Sequence, residues 1–221
     1  MNCPLSIGRV MRNTGLRLIA LSAALLWVGT AYAQTTPPPM CPPPAGPLVG
    51  PRYQDNGDGT VTDNQTGLMW EQKIGVVGVK PATANVHDVN NKYAWSNVRS
   101  TGQDGTVFTK FLGTLNHNES SDASTITGCF ANYCDWRLPT VVELQGIIDK
   151  SAPGCVPGGT CIDSIFGPSV RRAYWSGTTD EHSNGYAWDV HFELVPALNL
   201  PGLARGGKLS MFPVRAVRCG W

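Results

Sequence analysis

The amino-acid sequence predicts a compact α+β domain, built mainly from antiparallel strands with two or three short helices and stabilised by disulfides. Three observations carry this prediction. Several short segments alternate apolar and polar residues, as strands with one buried face do. One segment holds a complete helix-start signature at Thr140 and Glu143. Six of the seven cysteines follow an apolar leader, which is typical of an exported, disulfide-bonded chain.

Residues 1–33 are predicted to be a signal peptide. Three arginines precede an apolar stretch at residues 18–28, and Ala31 and Ala33 form a small-residue cleavage site. The stretch is short for a bilayer span, and an uncleaved anchor is the less favoured alternative. No later stretch has spanning length, so we expect no transmembrane segment after cleavage and export to the periplasm, the medium or the cell surface.

Residues 34–51 are predicted to be a proline-rich tether before the folded domain. Eight prolines lie within residues 35–51, a composition that favours extended polyproline II conformation and cannot build a core. A disordered leader is the alternative interpretation. The folded domain is then expected at residues 52–221.

The charge balance argues against a nucleic-acid partner. The leader holds three of the 17 basic residues and none of the 16 acidic ones, so 14 basic and 16 acidic residues remain, a net charge of −2. Nucleic-acid binding needs a strongly basic field. No cofactor is indicated, and the sequence does not determine the oligomeric state.

The six cysteines beyond the leader predict three disulfides. The two close pairs are Cys129 with Cys134 and Cys155 with Cys161, and Cys41 and Cys219 are then left to each other, which would tie the ends of the domain together. A zinc site made from the two close pairs is the alternative, although their spacings are looser than the usual knuckle. The pairs are Cys41–Cys219, Cys129–Cys134 and Cys155–Cys161.

The first elements of the domain are predicted to be a small β-meander. Strands at residues 52–55, 60–63 and 68–71 alternate with Gly- and Asn-rich turns, which supply the positive φ of tight hairpins.

Part of this meander also resembles a calcium loop. Asp55, Asp58 and Asp63 are candidate cation ligands, but Gln54 and Gln65 stand where an EF-hand needs carboxylates. Hairpin turns are therefore favoured, and a bound cation is the alternative.

Three helical segments are then predicted. Residues 92–100 are expected to form a short helix carrying Tyr93 and Trp95, and apolar residues at 108, 111, 112 and 115 follow helical spacing. A third helix is expected at residues 141–150. Its start is marked by the capping box of Thr140 and Glu143, after a proline that keeps the preceding residue extended.

The residues beside this capped helix are assigned structural roles. Trp136 is expected to pack against the helix, and Arg137 to form an ion pair with Asp135 or Glu143. After a Gly-, Pro- and Cys-containing loop at residues 151–169, strands are predicted at residues 173–176, 186–193, 208–212 and 214–219.

Five ordered sequence blocks make the chain resemble the Lcl C-terminal domain family over about residues 53–219. The blocks are DGTVTD with TGLMW at residues 58–70, DWRLPT with EL at 135–144, YWS at 174–176, AW at 187–188 and VRAVR at 214–218. The resemblance implies an exported bacterial domain with a C-type-lectin-like fold. The family's founding adhesin is associated with sulfated glycosaminoglycans, but this chain has no collagen-like tract before the domain.

Motifs for catalysis are absent from the sequence, so a non-catalytic protein is predicted. It lacks the nucleophile elbow, the zincin helix motif, the phosphate-binding loop and the dinucleotide fingerprint. Asp189, His191 and Glu193 share one face of a predicted strand and could bind metal or transfer protons, but a solvated strand face is favoured. A hydrolase with an unrecognised site is the weakest alternative.

The predicted function is binding of a glycan or a cell-envelope partner. The tripeptides that ligate calcium in C-type lectins are missing, so binding is expected to be calcium-independent and to use aromatic and basic side chains. For the aromatic residues, packing in the core is the favoured alternative. For the basic residues, the favoured alternative is charge scattered over the surface. A structural or assembly component of the envelope that binds protein is the second hypothesis. The candidate ligand-binding residues are Tyr174, Trp175, Trp188, Arg205, Lys208 and Arg215.

Overall fold

The computed structural model describes residues 41, 50–98, 102–117, 128–195 and 200–220. The predicted signal peptide and nearly all of the predicted tether therefore lie outside the described residues. Within the described ranges, no helix is both long enough and apolar enough to cross a membrane.

The described residues form short strands and very short helices, in an α+β arrangement. A π-helical turn, Val107–Leu112, leads directly into helix α1, Gly113–His117, and helix α2 is Val141–Gly146; single 3-10 turns lie at Phe130–Asn132 and Ser164–Phe166. The strands are β1 (Tyr53–Asp55), β2 (Thr60–Asp63), β3 (Leu68–Glu71), β4 (Tyr93–Ala94), β5 (Ala173–Thr179), β6 (Tyr186–Val195), β7 (Leu200–Gly207), β8 (Met211–Phe212) and β9 (Val217–Cys219).

These strands form three antiparallel sheets. The first has the order β1-β2-β3-β9, the second pairs β4 with β8, and the third has the order β5-β6-β7. The predicted meander is confirmed as β1 to β3. Strand β9 adds to the meander at β3, so the first and last strands of the domain belong to one sheet.

Two apolar cores lie on opposite faces of the main strands. Along β3, Met69 belongs to one core, whereas Leu68 and Trp70 belong to the other. Along β5, Trp175 and Tyr174 divide in the same way. Because successive strand residues point to opposite faces, each of these strands is buried on both sides.

The capping box predicted at helix α2 is confirmed. Thr140 Oγ1 accepts a hydrogen bond from Glu143 N at 3.2 Å, and Glu143 Oε2 accepts one from Thr140 N at 2.7 Å. The helix ends at Gly146, earlier than predicted, because Asp149 N donates to the carbonyl of Cys161. That bond draws the chain toward the disulfide loop instead of continuing the helix.

Arg137 forms its predicted ion pair with Glu143 rather than with Asp135. Both terminal nitrogens of Arg137 donate to the Glu143 carboxylate at 2.8 Å. Burial raises the pKa of Glu143, but the Arg137 hydrogen bonds and charge and the amide of Thr140 outweigh it, so the pKa lies below its usual range. Asp135 instead accepts from Arg218 Nε at 2.7 Å.

All three predicted disulfides are present. They join Cys41 to Cys219, Cys129 to Cys134 and Cys155 to Cys161. The alternative zinc site is therefore not formed, because its four cysteines are oxidised in pairs. The Cys41–Cys219 bond spans 178 residues and links the start of the described chain to β9.

The helix predicted at residues 92–100 is wrong over its described part. Tyr93 and Ala94 form β4 instead, and both Tyr93 and Trp95 are buried. The Tyr93 carbonyl and the Trp95 indole hold this conformation, since Trp175 Nε1 donates to Tyr93 O at 2.9 Å and Trp95 Nε1 donates to Ser176 O at 3.0 Å. Tertiary hydrogen bonds outweigh the local preference here.

The helical spacing predicted from residue 108 is confirmed, with Phe111 and Leu115 buried. Trp136 is buried as expected and packs with Phe130. It belongs to one apolar core, whereas Leu144 of helix α2 belongs to the other. Its predicted position beside that helix is therefore wrong.

Strand β7 was not predicted, because its sequence is rich in glycine and contains a proline. Gly206 is required there: a Cβ atom would lie 2.4 Å from the Phe212 ring and 2.6 Å from the Trp175 ring. The strand predicted at residues 208–212 shrinks to β8, since Ser210 N donates to Gly207 O and closes a turn. The strand predicted at residues 214–219 shrinks to β9.

Candidate functional site

Four of the six candidate ligand-binding residues are buried in the domain. Tyr174, Trp175, Lys208 and Arg215 each have 0% of their surface exposed. A ligand on the protein surface cannot stack on these rings or pair with these charges. For the two aromatic residues the favoured alternative, core packing, is what the structure shows.

The two buried cations hold the fold together. Arg215 donates from Nη1 to Phe166 O at 2.8 Å, and from Nη2 to Pro168 O at 3.1 Å and Ser169 Oγ at 2.6 Å. Lys208 Nζ lies 4.0 Å from the centre of the Trp95 ring, a cation–π contact. Burial lowers the pKa of both Arg215 and Lys208.

The other two candidates, Trp188 and Arg205, remain accessible and are brought together. They are direct cross-strand partners on β6 and β7, with the Arg205 guanidinium 6.0 Å from the Trp188 ring centre. Trp188 is half-buried and Arg205 is exposed. Arg205 Nη1 also donates to Asp180 Oδ2 at 2.8 Å, and this contact fixes the side chain beside a cleft.

The cleft has a volume of about 890 Å³ and lies over the sheet β5-β6-β7. Residues of a loop at positions 77–92 form one wall, and residues of the sheet form the floor. Residues 170–173 and strand β8 complete the lining. Sites of this size commonly hold small molecules or short polymers.

Small residues create the open floor of the cleft. In the register of the sheet, His191 on β6 stands between Ala173 and Gly202, and Asp189 faces Ala204 on β7. Because directly paired residues share one face of a sheet, these small neighbours leave space above His191, whereas Asp189 also lies beside the large Trp175 on β5. Glu193 lines the cleft on the same side.

Asp189 lies at the bottom of this floor with an unsatisfied oxygen. The residue is 1% exposed, and Oδ1 has no hydrogen-bond partner among the residues that the structure describes. His191 Nε2 lies 3.2 Å away but outside hydrogen-bond geometry. The prediction of a fully solvated strand face is thus wrong for Asp189, because the cleft wall and the paired strands cover it.

Positive side chains line the cleft around that floor. Arg171, Arg172, Arg205 and Lys92 are all exposed lining residues, against the two carboxylates of Asp189 and Glu193. Four cations against two anions leave the lining with a formal charge of +2 when His191 is neutral. Closely spaced cations in a concave surface attract anionic ligands.

Among these cations, Arg172 and Lys92 are the least engaged by the described residues. Arg171 Nη1 donates to the carbonyl of Gly158 at 2.5 Å. The Arg172 side chain, by contrast, makes no hydrogen bond or ion pair with any residue that the structure describes. Its guanidinium therefore keeps all its donors available to a ligand.

The loop wall is held in place by one asparagine and presents apolar side chains. Asn90 Oδ1 accepts from Gly78 N at 2.8 Å, and its Nδ2 donates to Val76 O at 2.8 Å. Val77 and Val79 line the cleft and are 46% and 52% exposed. A polar floor thus faces an apolar lip.

A second cavity of about 380 Å³ adjoins the first. Both cavities are lined by Pro81, Asn90, Lys92 and Met211, and the second adds Lys110. The shared wall makes the two cavities neighbouring parts of one concave surface, with room for an extended ligand.

A metal site is not formed by the residues that the structure describes, because they contain no group of three or more His, Cys, Asp or Glu placed to hold an ion. The carboxylates of the meander serve its turns. Asp55 Oδ1 accepts from Gly57 N, Asp58 Oδ1 from Thr60 N, and Asp63 Oδ1 from Gln65 N. Asp63 also pairs with Arg52.

Comparison with protein families gives one assignment. A model described as the Lcl C-terminal domain matches residues 59–218. The chain belongs to the Lcl C-terminal domain family. Comparison with the curated proteins and with the solved structures gave no match. All residues lining the cleft of this Lcl C-terminal domain fall between positions 77 and 212, inside the matched range.

The candidate set predicted from this sequence omitted much of the cleft. It included Arg205 but not Arg172, Lys92 or the loop wall. The alternation of Asp189, His191 and Glu193 did signal the face that forms the floor. The small residues opposite them could have drawn attention to a cavity only if the pairing of β6 with β7 had been known.

Proposed function

We propose that this Lcl C-terminal domain is an exported, non-catalytic binding module that holds a negatively charged glycan in the cleft without calcium. The cluster of exposed cations around a concave, polar-floored surface carries this proposal. Arginine guanidinium groups bind sulfate, phosphate and carboxylate groups through paired hydrogen bonds. Carboxylates such as that of Glu193 accept hydrogen bonds from sugar hydroxyls.

The length of the concave surface supports a polymer rather than a single sugar. Lys92 lies in the wall between the two cavities, Arg172 lines the larger one and Lys110 lines the smaller one. Spaced cations of this kind match the repeated charges of an acidic oligosaccharide. Trp188 lies beside Arg205 but does not line either cavity.

The finer fold and location belong to the same proposal. A C-type-lectin-like fold is implied by the family and is supported by first and last strands that share one sheet, closed by the Cys41–Cys219 disulfide. Three disulfides support export to an oxidising compartment, the periplasm or the cell surface.

A second candidate function is docking to a protein of the cell envelope. It is favoured by exposed aliphatic residues in and just before the loop wall of the cleft, where Ile74, Val76, Val77 and Val79 are 46%, 67%, 46% and 52% exposed. Contiguous exposed apolar groups are typical of protein contacts. Crosslinking in envelope extract, compared between the native chain and a Val76→Ser, Val77→Ser variant, tests this function.

A hydrolase, the third and weakest alternative, gains no support from the cleft. Ser, Thr and Cys are absent from its described lining, so a side-chain nucleophile of those types is missing there.

Binding of the purified protein to immobilised dextran sulfate at low salt, with neutral dextran beside it, tests the glycan proposal. We expect retention on dextran sulfate only, with Arg172→Gln weakening binding about tenfold through loss of charge-assisted hydrogen bonds worth about 1.5 kcal/mol. Lys150→Gln is the matched control, because Lys150 is exposed, carries the same charge and does not line the cleft.

The control separates cleft binding from general attraction between a cation and a polyanion. Equal weakening by Arg172→Gln and Lys150→Gln would assign the binding to net charge alone. Absence of retention on any anionic dextran at low salt would contradict the proposal.

A further inference from the structure

The floor of the cleft contains a histidine backed by a buried carboxylate. His191 has 35% of its side chain exposed, whereas the Asp189 side chain is 2% exposed and lies behind it, with Nε2 and Oδ1 at 3.2 Å. Within the described part of the chain Asp189 Oδ1 has no hydrogen-bond partner, although buried acceptors are nearly always paired. An imidazole that turned its Nε2–H toward Oδ1 would satisfy this acceptor.

In that arrangement the two ring nitrogens have different roles. A carboxylate that accepts from one nitrogen fixes the tautomer and orientation of the ring. Nδ1 is then the ring nitrogen left for a ligand. Asp189 places a carboxylate beside the ring at the base of the site.

The remaining charged groups define what an imidazolium at this position can recognise. Those that line the same cleft are Glu193 from β6, Arg171 and Arg172 from the segment before β5, Arg205 from β7 and Lys92 from the loop wall. Histidine is the side-chain type whose ordinary change of charge falls between pH 5 and pH 8, and His191 is the histidine of this lining.

We infer that His191 is a proton-linked recognition residue of the cleft: positioned by Asp189, it binds an anionic group of the ligand as the imidazolium and takes up a proton as the ligand binds. This inference rests on the proposed anion-binding function of the cleft and adds a dependence of the affinity on pH. Binding is stronger in mild acid, where the imidazolium is present, and weakens as pH rises and the proton is lost.

The chain offers a matched control histidine outside the cleft. His182 also lies beside a buried aspartate, with Nδ1 3.5 Å from Asp180 Oδ1, but it is 89% exposed and does not line the cleft. Asp180 is already satisfied by the amide of His182 and by Arg205. A change in net protein charge with pH affects both histidines, whereas recognition in the cleft affects His191 alone.

The test measures the affinity of a dextran sulfate oligomer for the native protein, His191→Gln and His182→Gln at pH 5.5, 6.5 and 8.0 and constant ionic strength. We expect the native affinity and that of His182→Gln to fall about tenfold from pH 5.5 to 8.0, the effect of losing one charge-assisted hydrogen bond. His191→Gln should keep the pH 8.0 affinity at every pH. Titration calorimetry in buffers of different ionisation enthalpy should show proton uptake that His191→Gln abolishes.

A spectroscopic measurement tests the role of Asp189 without any ligand. Nitrogen-15 spectra at pH 8.0 should place the proton of neutral His191 on Nε2 in the native protein, and Asp189→Asn should change this tautomer distribution. If that variant does not fold, the His191→Gln comparison still decides the recognition role.

Two failures can be told apart. Native protein that binds no dextran sulfate at any pH removes the proposed function together with this inference. Native binding that does not depend on pH, or a pH dependence that survives in His191→Gln, overturns the inference and leaves the proposed function standing.

Discussion

Two groups of basic residues in the last third of the chain occupy opposite environments. Arg215 is buried and donates three hydrogen bonds to Phe166, Pro168 and Ser169, whereas Arg172 and Arg205 are exposed in the cleft. The sequence presents both groups as equal positive charges. Their surroundings separate them into cations that hold the fold together and cations that are available to a ligand.

The buried group has a neighbour in a buried carboxylate from much earlier in the sequence. Glu71 is fully buried and its Oε1 accepts from Lys73 Nζ at 2.7 Å, with His87 Nδ1 at 2.8 Å from the same oxygen. Its Oε2 accepts from the amide of Ala216, next to Arg215. Buried charges that are hydrogen-bonded in this way specify the fold, and we expect substitutions there to change stability and those in the cleft to change binding.

The largest expected effect comes from Glu71→Gln. The change leaves the Lys73 ammonium buried without a counter-charge, which should lower the free energy of unfolding by about 3–5 kcal/mol. Urea denaturation measures this loss. In the double variant Glu71→Gln, Lys73→Met the loss should be smaller than the sum of the two single losses. Additive losses would show that the two side chains act independently.

The same residue gives a pH dependence of stability. Burial raises the pKa of Glu71, but Lys73 and His87 lower it by more than burial raises it. The pKa in the folded protein therefore lies below its ordinary value. The stabilisation is then complete above the unfolded pKa of about 4.3 and is lost as pH falls through the folded pKa. Urea titrations between pH 7 and pH 3 should show this decrease in the native protein, and a weaker one in Glu71→Gln.

Arg215→Met tests the comparison between buried and exposed cations by removing a buried one. Phe166, Pro168 and Ser169 would lose their donor inside the domain, at an expected cost of about 2–4 kcal/mol in unfolding free energy. Arg172→Gln, with the same loss of charge, should leave the urea midpoint unchanged. If the folded Arg215→Met protein bound dextran sulfate more weakly than Arg172→Gln, the division between structural and ligand-binding cations would be wrong.

Thr140→Ala has the smallest expected effect. It removes the hydrogen bond to the amide of Glu143 and should cost about 1 kcal/mol of stability, with no change in dextran sulfate affinity. Thr140 belongs to the start of helix α2, whose Leu144 packs in a core on the far side of the strands from Trp175. Native stability combined with lost binding would make this motif part of a ligand site.

The local chemistry of the chain was predicted best where neighbouring residues alone decide it. The capping box of Thr140 and Glu143 depends on a spacing of three residues, and the turns of the meander depend on glycine. Two of the disulfides join cysteines five and six residues apart. Such features are confirmed because their partners lie within reach of one another in the sequence.

Predictions that needed distant partners were less successful. No local rule favours a strand over a helix at Tyr93 and Trp95. Hydrogen bonds to residues more than 80 positions away decide between the two conformations. Strand β7 was missed because glycine disfavours a strand. Gly206 is nevertheless required there, since the rings of Trp175 and Phe212 occupy the space that a side chain would need.

The sequence by itself determined the family, the α+β class, the disulfide pairs and the face of β6 that carries Asp189, His191 and Glu193. Only the tertiary structure decided how deeply each of these side chains lies and which charges share a surface. Alternation along a strand specifies direction with a period of two residues, but depth depends on what the other strands and loops place above that face. The cleft exists because Ala173, Gly202 and Ala204, from two other strands, leave space beside one histidine and one aspartate.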